Sequence, residues 1–328
     1  MKPTIRGMLH DHIDGSAALA DVILDLYAIA GKKFPFPSIA AWIEYFKNPH
    51  ENIVTKFGTV TSVLQTDDAL TLAGYAYGRA RAREGFTYVE GRFAPQYHMA
   101  GGLSLAGAVD ALRTGLIMAE KRYNIRIMPI VCIGREADPD TGVAIAKTVL
   151  HYDGEVALDL ACDEGGHPPE KHLPAFALTF GTNVRRTCHA GEWVAQDPRK
   201  TYRTRLLWNV RTAVRVLKCH RVGHAIPLAD DSELVREIVD TGVGVEGCPL
   251  SNFVCGSVED LRTLRIRELL DRGVLYTLNA DDDLFLPPMP EVIAATDAAY
   301  NFTEAEVAAL EKNIFRSAFD PTIRALVR

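Results

Sequence analysis

Two histidines near the start of the chain have the spacing of a metal-binding pair. His10 and His12 are separated by one residue. On an extended segment both side chains project from the same face, because successive side chains alternate. Imidazole is a common zinc ligand, so the pair can give two nitrogen donors to one divalent ion. Histidines that bind no metal can have the same spacing, so a metal site needs further donors elsewhere in the chain.

Further candidate donors and acids lie at the ends of short apolar segments. These residues are Asp163, Glu164, His189, Glu192, His224, Asp281, Asp282 and Asp283. Three imidazoles and one carboxylate form a mixed set that suits zinc or a similar divalent ion. The proposed ligands are His10, His12, His189 and Asp281. With one position left for water, such a site is catalytic, because the ion lowers the pKa of that water to about 7.

Two residues of this group have the chemistry of a general acid or base. Glu192 lies three positions after His189, and the small residues between them allow a turn that brings its carboxyl group over the metal site. A salt bridge at the strand end is the alternative role for Glu192. His224 can accept a proton or stabilise developing negative charge, or else it is a buried structural histidine.

Three consecutive aspartates complete the group. Asp281 and Asp282 cannot point in the same direction on an extended segment. In our interpretation one of them binds metal, while the other faces a substrate or orients a histidine. Asp283 is interpreted as a solvated neighbour without a role.

The segments that carry these residues are predicted to be strands that alternate with helices. Eight such units indicate parallel strands in a closed (β/α)8 TIM-type barrel, an α/β fold whose active sites lie at the C-terminal mouth. The predicted strands are Thr4–His10, Phe86–Phe93, Ile125–Ile133, Val156–Cys162, Val184–His189, Arg221–His224, Val243–Cys248 and Val274–Asn279. Predicted helices between them include Leu105–Lys121, Asp140–His151, Arg203–Lys218, Ser232–Thr241 and Val258–Arg272.

The stretch from about residue 17 to 83, after the first strand, has a mostly helical pattern and is predicted to cap the mouth of the barrel. Because no linker or internal repeat divides the sequence, residues 1–328 are expected to form one domain. A doubly wound sheet is the alternative fold, but the first strand lacks the Gly-x-Gly-x-x-Gly loop of its dinucleotide-binding form.

Composition restricts the classes of partner. The net charge of −6 argues against a general nucleic-acid binder, so no nucleic-acid partner is expected. The sequence shows neither a transmembrane-length apolar run nor a signal-peptide pattern. Its six cysteines form no Cys-x-x-Cys motif. We therefore expect a cytoplasmic protein with reduced thiols and no membrane contact, while the sequence gives no oligomeric state.

Several motifs, taken in order, resemble those of the adenosine deaminase family, which are zinc-dependent aminopurine deaminases of the amidohydrolase superfamily. Residues 10–15, His-Asp-His-Ile-Asp-Gly, resemble the family's opening His-x-His-Leu-Asp-Gly. Residues 189–192 match its His-Ala-Gly-Glu element, and residues 221–224 resemble its Arg-Ile-Gly-His element. Residues 88–95, 248–252 and 278–282 complete the set. Each motif alone is weak, but the ordered series is specific.

The resemblance implies a hydrolase that converts a 6-aminopurine nucleoside, adenosine or a related adenine nucleoside, to the 6-oxopurine and ammonia. It implies one zinc ion per chain on the four ligands named above, with Asp281 both ligand and catalytic residue. Metal-bound hydroxide would attack C6 while Glu192 protonates N1 and His224 activates or orients the hydroxide. Asp282 would contact N7. Asp14 would face the ribose, which favours a nucleoside, because branches that act on the free base tend to have glutamate there.

The sequence departs from the family pattern at a few positions. Cys162 replaces a glycine whose backbone faces purine N3, so its side chain adds bulk beside the base or, alternatively, is an inert buried thiol that points away. Asp283 replaces a common proline, Asp11 is a mild variation, and Trp193 stands where smaller residues are frequent. The change at Cys162 is the reason to consider nucleosides other than adenosine itself.

Two other functions stay open at this point. One is deamination of a free base or another amino-heterocycle, such as a pterin-like ring, on the same zinc site. The other is a non-catalytic metal-binding or nucleoside-binding protein, which would be expected to have lost Glu192, His224 or Asp281. The expected partner of the leading interpretation is a small-molecule aminopurine substrate.

Overall fold

The structure, a computed structural model, describes residues 5–48, 50–192 and 200–327. Within these ranges the chain forms eight strands, and each pairs in parallel with the next in its sheet. The strands are β1 (Gly7–His12), β2 (Tyr88–Phe93), β3 (Arg126–Gly134), β4 (Ala157–Ala161), β5 (His189–Ala190), β6 (Arg221–His224), β7 (Gly244–Gly247) and β8 (Leu275–Leu278).

The strands form two four-stranded sheets, β1 to β4 and β5 to β8, that are joined at both seams. At one seam Leu158 pairs with Arg186, and at the other Asp11 pairs with Asp281. The second seam carries two backbone hydrogen bonds, His12 N to Asp281 O at 3.3 Å and Asp281 N to His10 O at 3.1 Å. The predicted (β/α)8 barrel class is therefore confirmed.

Helices follow or precede most strands and cover the outside of this ring. Their apolar faces pack on the strands in one large buried core. The helices are α1 (Ile23–Ile29), α2 (Ile39–Lys47), α3 (Ile53–Thr61), α4 (Asp67–Arg83), α5 (Leu105–Arg122), α6 (Pro139–Leu150), α7 (Leu173–Leu178), α8 (Lys200–Arg215), α9 (Ser232–Thr241), α10 (Pro249–Val254), α11 (Ile266–Asp271), α12 (Met289–Tyr300), α13 (Glu304–Ser317) and α14 (Pro321–Ala325).

Two predicted elements are wrong in extent. The predicted strand Val184–His189 is reduced to β5, because the backbone N–H of Arg186 donates to the imidazole of His220 at 3.0 Å rather than to a neighbouring strand. The predicted helix Val258–Arg272 is interrupted at Arg265, whose φ of 52° breaks the helical hydrogen-bond ladder before α11 begins. The single-domain expectation stays a prediction.

The helical pattern predicted after the first strand is confirmed by a 3-10 turn at Ala17–Asp21 and helices α1 to α4. These elements share a second buried core with the segment after β8, residues 284–286. The Phe285 ring stacks on Phe57 with centroids 4.5 Å apart and meets Phe46 edge-on at 5.3 Å. The insertion is therefore anchored on a loop at the C-terminal mouth, where a cap was predicted.

Charged side chains occupy the interior of the barrel below this mouth. Arg92 on β2 contacts Asp159 and Glu246, each at 2.8 Å. Arg221 on β6 contacts Glu246 at 2.6 Å and also pairs with Glu90. All five residues are at most 1% exposed. Buried charges are tolerated only when they are paired and hydrogen-bonded, so these residues stabilise one another as a network.

None of the helices in the described part of the chain is both long and apolar enough to cross a membrane.

Replacing Glu246 by alanine is expected to lower the free energy of unfolding by about 3–5 kcal/mol, because it leaves two buried arginines short of a partner. Chemical denaturation measures this loss. Glu311→Ala is the control, because its partner Arg6 is 58% exposed, and exposed pairs contribute about 1 kcal/mol or less. Equal losses in the two variants would contradict a stabilising role of the interior network.

Candidate active site

The ends of β1, β5 and β8 bring four metal-binding side chains to one point. As the alternation rule predicts, His10 and His12 face the same centre. The Nε2 atom of His12 lies 3.3 Å from His189 Nε2 and 3.4 Å from Asp281 Oδ1. The Nε2 atom of His10 lies 3.5 Å from the same Asp281 oxygen. The four donor atoms all lie within 4.8 Å of one another, which fits ligation of a single ion.

The outward nitrogen of each buried ligand histidine is held by a carboxylate. His10 Nδ1 lies 2.8 Å from Glu246 Oε2, and His189 Nδ1 lies 3.1 Å from Asp159 Oδ2. Because an ionised carboxylate only accepts hydrogen bonds, each Nδ1 carries the proton and each Nε2 offers a lone pair to the centre. His10 Nε2 is moreover buried, and no residue in the described part of the chain forms a hydrogen bond with it. These features fit a bound divalent cation.

The protonation states of two of the histidine donors also fit a cation. Burial lowers the pKa of His12 to about 4 and that of His189 to about 3, so both rings are neutral at pH 7. A second set of donors, His10, His224, Cys248 and Asp281, shares two residues with the first. Burial raises the pKa of the Cys248 thiol to about 12, and a protonated thiol is a poor ligand. We therefore favour the set that contains His12 and His189.

Glu192 reaches the same centre through a turn after β5. Gly191 adopts a φ of 79°, a conformation that favours glycine. Glu164, which follows β4, fixes this turn by accepting the backbone N–H groups of Gly191 at 2.7 Å and Glu192 at 2.8 Å. The side chain of Asn209 donates to Glu164 at 2.8 Å. Burial, with the nearby carboxylates of Asp281 and Glu164, raises the pKa of Glu192 against the opposing effect of His224. Glu192 is thus poised to hold a proton.

His224 faces Glu192 and Asp281 from the end of β6. Its Nε2 atom lies 3.5 Å from Glu192 Oε2 and 3.9 Å from Asp281 Oδ2. This atom is buried and has no hydrogen-bond partner among the described residues. Its Nδ1 atom lies 2.9 Å from Asn252 Oδ1. Ser251, next to Asn252 on α10, donates to Asp281 Oδ2 at 2.7 Å. The segment after β7 therefore orients both a metal-binding carboxylate and the neighbouring histidine.

Three residues with side chains at strand ends have left-handed backbones. The φ angles are 76° at Cys162, 61° at His224 and 71° at Asp281. L-residues rarely adopt this conformation, and such strain is concentrated at functional sites. The thiol of Cys162 is exposed and lies 3.7 Å from the Tyr97 hydroxyl, which donates to Glu136. The alternative reading of Cys162 as a buried thiol is wrong.

Asp14 and Asp282 lie on the loops that follow β1 and β8. Asp14 is 6% exposed, and its Oδ2 atom lies 3.3 Å from His98 Nε2. Asp282 Oδ1 is buried and, within residues 5–48, 50–192 and 200–327, has no hydrogen-bond partner. It packs so closely on Gly15 that a Cβ atom there would lie 1.8 Å away, which requires glycine at this position. Both loops border the candidate metal centre.

Asp283 differs from its interpretation as a solvated neighbour. It is 3% exposed, forms an ion pair with Arg81 at 2.8 Å and accepts the Ala17 N–H at 2.7 Å. Asp283 is buried because the insertion covers the loop after β8 and supplies Arg81 as a buried cation. Trp193, named in the sequence analysis, lies outside the described residues.

Sequence reasoning left out most of the residues that orient the site, and it gave Glu164 only as a candidate donor or acid. Asp159 and Glu246 hold ligand histidines, Glu164 holds the Glu192 turn, and Asn252 holds His224. A signal was present for the first two, because each is a carboxylate inside an otherwise apolar strand. Such a residue must have a buried partner.

Comparison with known proteins assigns the family. The adenosine deaminase family model matches residues 6–325. An adenosine deaminase of Erwinia tasmaniensis is 30% identical over 286 residues, covering 84% of this chain and 81% of that protein. An adenine deaminase of Cupriavidus necator is 27% identical over 327 residues, covering 99% of this chain and 90% of that protein. The "Probable adenosine deaminase" of Dictyostelium discoideum is 28% identical over 330 residues; this chain spans 41% of its length.

Solved structures share the fold. An adenine deaminase from Arthrobacter aurescens has a TM-score of 0.84 at 24% identity, with 99% of this chain and 97% of that chain covered. An amidohydrolase from Burkholderia ambifaria with bound Zn has a TM-score of 0.81 at 24% identity, with 98% of this chain and 87% of that chain covered. The chain belongs to the adenosine deaminase family and is a hydrolytic deaminase.

Proposed function

We propose that this protein is a zinc-dependent deaminase that converts a 6-aminopurine nucleoside, adenosine or a related adenine nucleoside, to the 6-oxopurine and ammonia. The observation that carries the proposal is the cluster of four metal donors within 4.8 Å of one another, beside Glu192 and His224. Membership of the adenosine deaminase family supports deamination of an aminopurine.

One zinc ion would be held by the four clustered donors. These are His10, His12, His189 and Asp281. A bound zinc ion supplies Lewis acidity and lowers the pKa of a coordinated water to about 7. The carboxylates behind His10 and His189 keep both rings in the tautomer that binds metal. The Zn-bound amidohydrolase of the same fold supports zinc as the ion.

Glu192 and His224 would move the protons of the reaction. Glu192, whose raised pKa favours the acid form, would donate a proton to ring N1 and make C6 more electrophilic. His224, whose Nε2 atom has no other partner, would accept a proton from the attacking water and stabilise the charge that develops on its oxygen. The amino group would then take up the proton held by His224 and leave as ammonia. The proton of the hydroxyl group added at C6 would return to Glu192, so that C6 becomes a carbonyl carbon.

Asp282 and Asp14 would bind the two ends of the substrate. Burial and the neighbouring Asp281 and Asp14 raise the pKa of Asp282, so its carboxyl group can donate a hydrogen bond to purine N7. The pKa of Asp14 is lowered; burial opposes this shift, and the contacts with His98 outweigh it. An ionised Asp14 can accept hydrogen bonds from ribose hydroxyls, which supports a nucleoside.

The free base adenine is the second candidate substrate. The exposed side chain of Cys162 occupies space near Tyr97 and Glu136, where the family pattern has glycine. The 27% identical adenine deaminase relative also covers 99% of this chain. A screen of ammonia release from adenine, adenosine, deoxyadenosine, adenine nucleotides and N6-substituted nucleosides discriminates between the two candidates.

The purified protein is expected to contain about one zinc equivalent per chain and to release ammonia from at least one 6-aminopurine nucleoside. His12→Ala should lose most of the metal, because it removes one of the clustered donors. Elemental analysis and a coupled ammonia assay measure both quantities. His151→Ala is the control, since that ring is exposed after α6 and contacts the backbone oxygen of Lys147. A zinc-loaded wild type that is inactive on every 6-aminopurine would contradict the proposal.

Glu192→Gln is expected to lower kcat by about 10²–10⁴-fold with zinc retained, because the amide cannot deliver the acid proton. Glu233→Gln, which alters a carboxylate that is 77% exposed on α9, is the matched control. In the wild type, kcat should fall as the pH rises above the raised pKa of Glu192, since the proton donor is then lost. A Glu192→Gln enzyme with wild-type kcat would refute the acid role.

Cys162→Gly is expected to raise kcat/KM for adenosine relative to adenine by about threefold or more. The substitution removes a side chain beside the base, and glycine adopts the left-handed backbone at this position without strain. Steady-state kinetics on both substrates measure this ratio. Cys219→Ala removes a buried thiol before β6 and serves as control. An unchanged ratio would show that Cys162 does not determine substrate preference.

A further inference from the structure

One buried arginine joins the insertion to two of the three strand ends that carry the proposed metal ligands, those of β1 and β8. Arg81 lies in the last turn of α4 and is 2% exposed. Its Nε and Nη2 atoms contact the two oxygens of Asp11 at 2.7 and 3.0 Å. Its Nη1 atom contacts Asp283 Oδ2 at 2.8 Å, and Nη2 also donates to Ser16 Oγ at 3.0 Å. One guanidinium group thus bridges three segments of the chain.

The first of these contacts lies directly behind the metal site. Asp11 stands between His10 and His12, and its side chain points to the opposite face of β1. The Tyr77 hydroxyl of α4 also donates to Asp11, at 2.6 Å. Arg81 therefore fixes the end of β1 from the side away from the candidate metal.

The second contact controls how the loops after β1 and β8 meet. Asp283 accepts the Ala17 N–H at 2.7 Å and the Ser16 hydroxyl at 3.2 Å. Leu284 N donates to Gly15 O at 3.0 Å. Because Asp14 and Asp282 belong to these same two loops, the spacing between their carboxyl groups depends on this junction.

We propose that Arg81 is a positioning residue that fixes the substrate-facing carboxyl groups of Asp14 and Asp282 relative to each other by fastening α4 to the loops that carry them. The inference rests on the proposed function for the roles of these two groups. Arg81 contacts three carboxylates: Glu84, just after α4, and the more distant Asp11 and Asp283. Asp11 and Asp283 both stand at positions where the sequence departs from the family pattern. The ion pairs of Arg81 with Asp11 and Asp283 are therefore particular to the way in which this chain holds the loops after β1 and β8.

The geometry requires arginine. A planar guanidinium presents five N–H donors in a fixed fork, whereas a lysine ammonium is a compact group that cannot span Asp11 and Asp283 together. The metal ligands have separate supports, because Glu246, Asp159 and Ser251 hold them from the barrel interior and from α10. Loss of the guanidinium contacts with Asp11 and Asp283 should therefore affect substrate binding more than metal binding.

Arg81→Lys tests the proposal with the positive charge retained. We expect KM for the best nucleoside substrate to rise about tenfold, with kcat changed less than about threefold and zinc content unchanged. Hydrogen exchange of peptides covering residues 13–19 and 281–287 should become faster, and exchange across α5 should not. Arg79→Lys is the matched control on the same helix, because Arg79 pairs with an Asp21 side chain that is 52% exposed.

A change in melting temperature without the KM effect or the faster exchange would reduce Arg81 to a structural ion pair and overturn the proposal. Loss of zinc in Arg81→Lys would overturn it as well, since it places the effect on the metal ligands. If Arg81→Lys does not fold, Asp283→Asn provides the second variant, because it keeps an acceptor for Ala17 and weakens only the ion pair. The same increase in KM and in exchange is expected.

Hydrogen exchange also separates this inference from the proposed function. A wild type that deaminates no aminopurine refutes the proposed function, whereas equal exchange in Arg81→Lys and Arg79→Lys refutes the positioning role whatever the substrate is.

Discussion

Two arginines inside the barrel determine the chemistry of the histidines above them. Arg92 and Arg221 hold the pKa of the buried Glu246 carboxyl far below its usual range although burial opposes this. An ionised Glu246 can accept the Nδ1 proton of His10, and Asp159, held by Arg92, does the same for His189. The lone pairs proposed to bind the metal therefore depend on two arginines that lie outside the cluster of proposed ligands.

The order of motifs and the alternation of strands and helices predicted the barrel, the insertion and the clustered donors. Those features follow from local patterns, because the C-terminal ends of all strands in a parallel barrel lie at the same mouth. The supports of the site could not be predicted in this way. His10 and Glu246 are 236 positions apart, and nothing in either local sequence pairs them. The predicted fifth strand failed for a similar reason, since a side chain of a distant residue, His220, satisfies the backbone of Arg186.

Backbone conformation at the mouth is a second property that the sequence patterns did not reveal. The resemblance identified position 162 as one where glycine is usual, and the structure gives a physical reason, a φ of 76°. His224 and Asp281 adopt the same strained region without glycine. The side chain of His224 donates a hydrogen bond to Asn252, and that of Asp281 accepts one from Ser251. Contacts of this kind from the surrounding structure allow a strained backbone to persist.

The mouth of this barrel is supported from two independent sides. The interior network and α10 hold the metal donors, whereas α4 holds the loops that carry Asp14 and Asp282 through Arg81. Since these supports share few residues, a change in the insertion can alter the spacing of the proposed substrate-binding groups and leave the proposed metal centre intact. In an enzyme of this architecture, substrate preference can therefore change through the helices of the cap while the reaction stays the same.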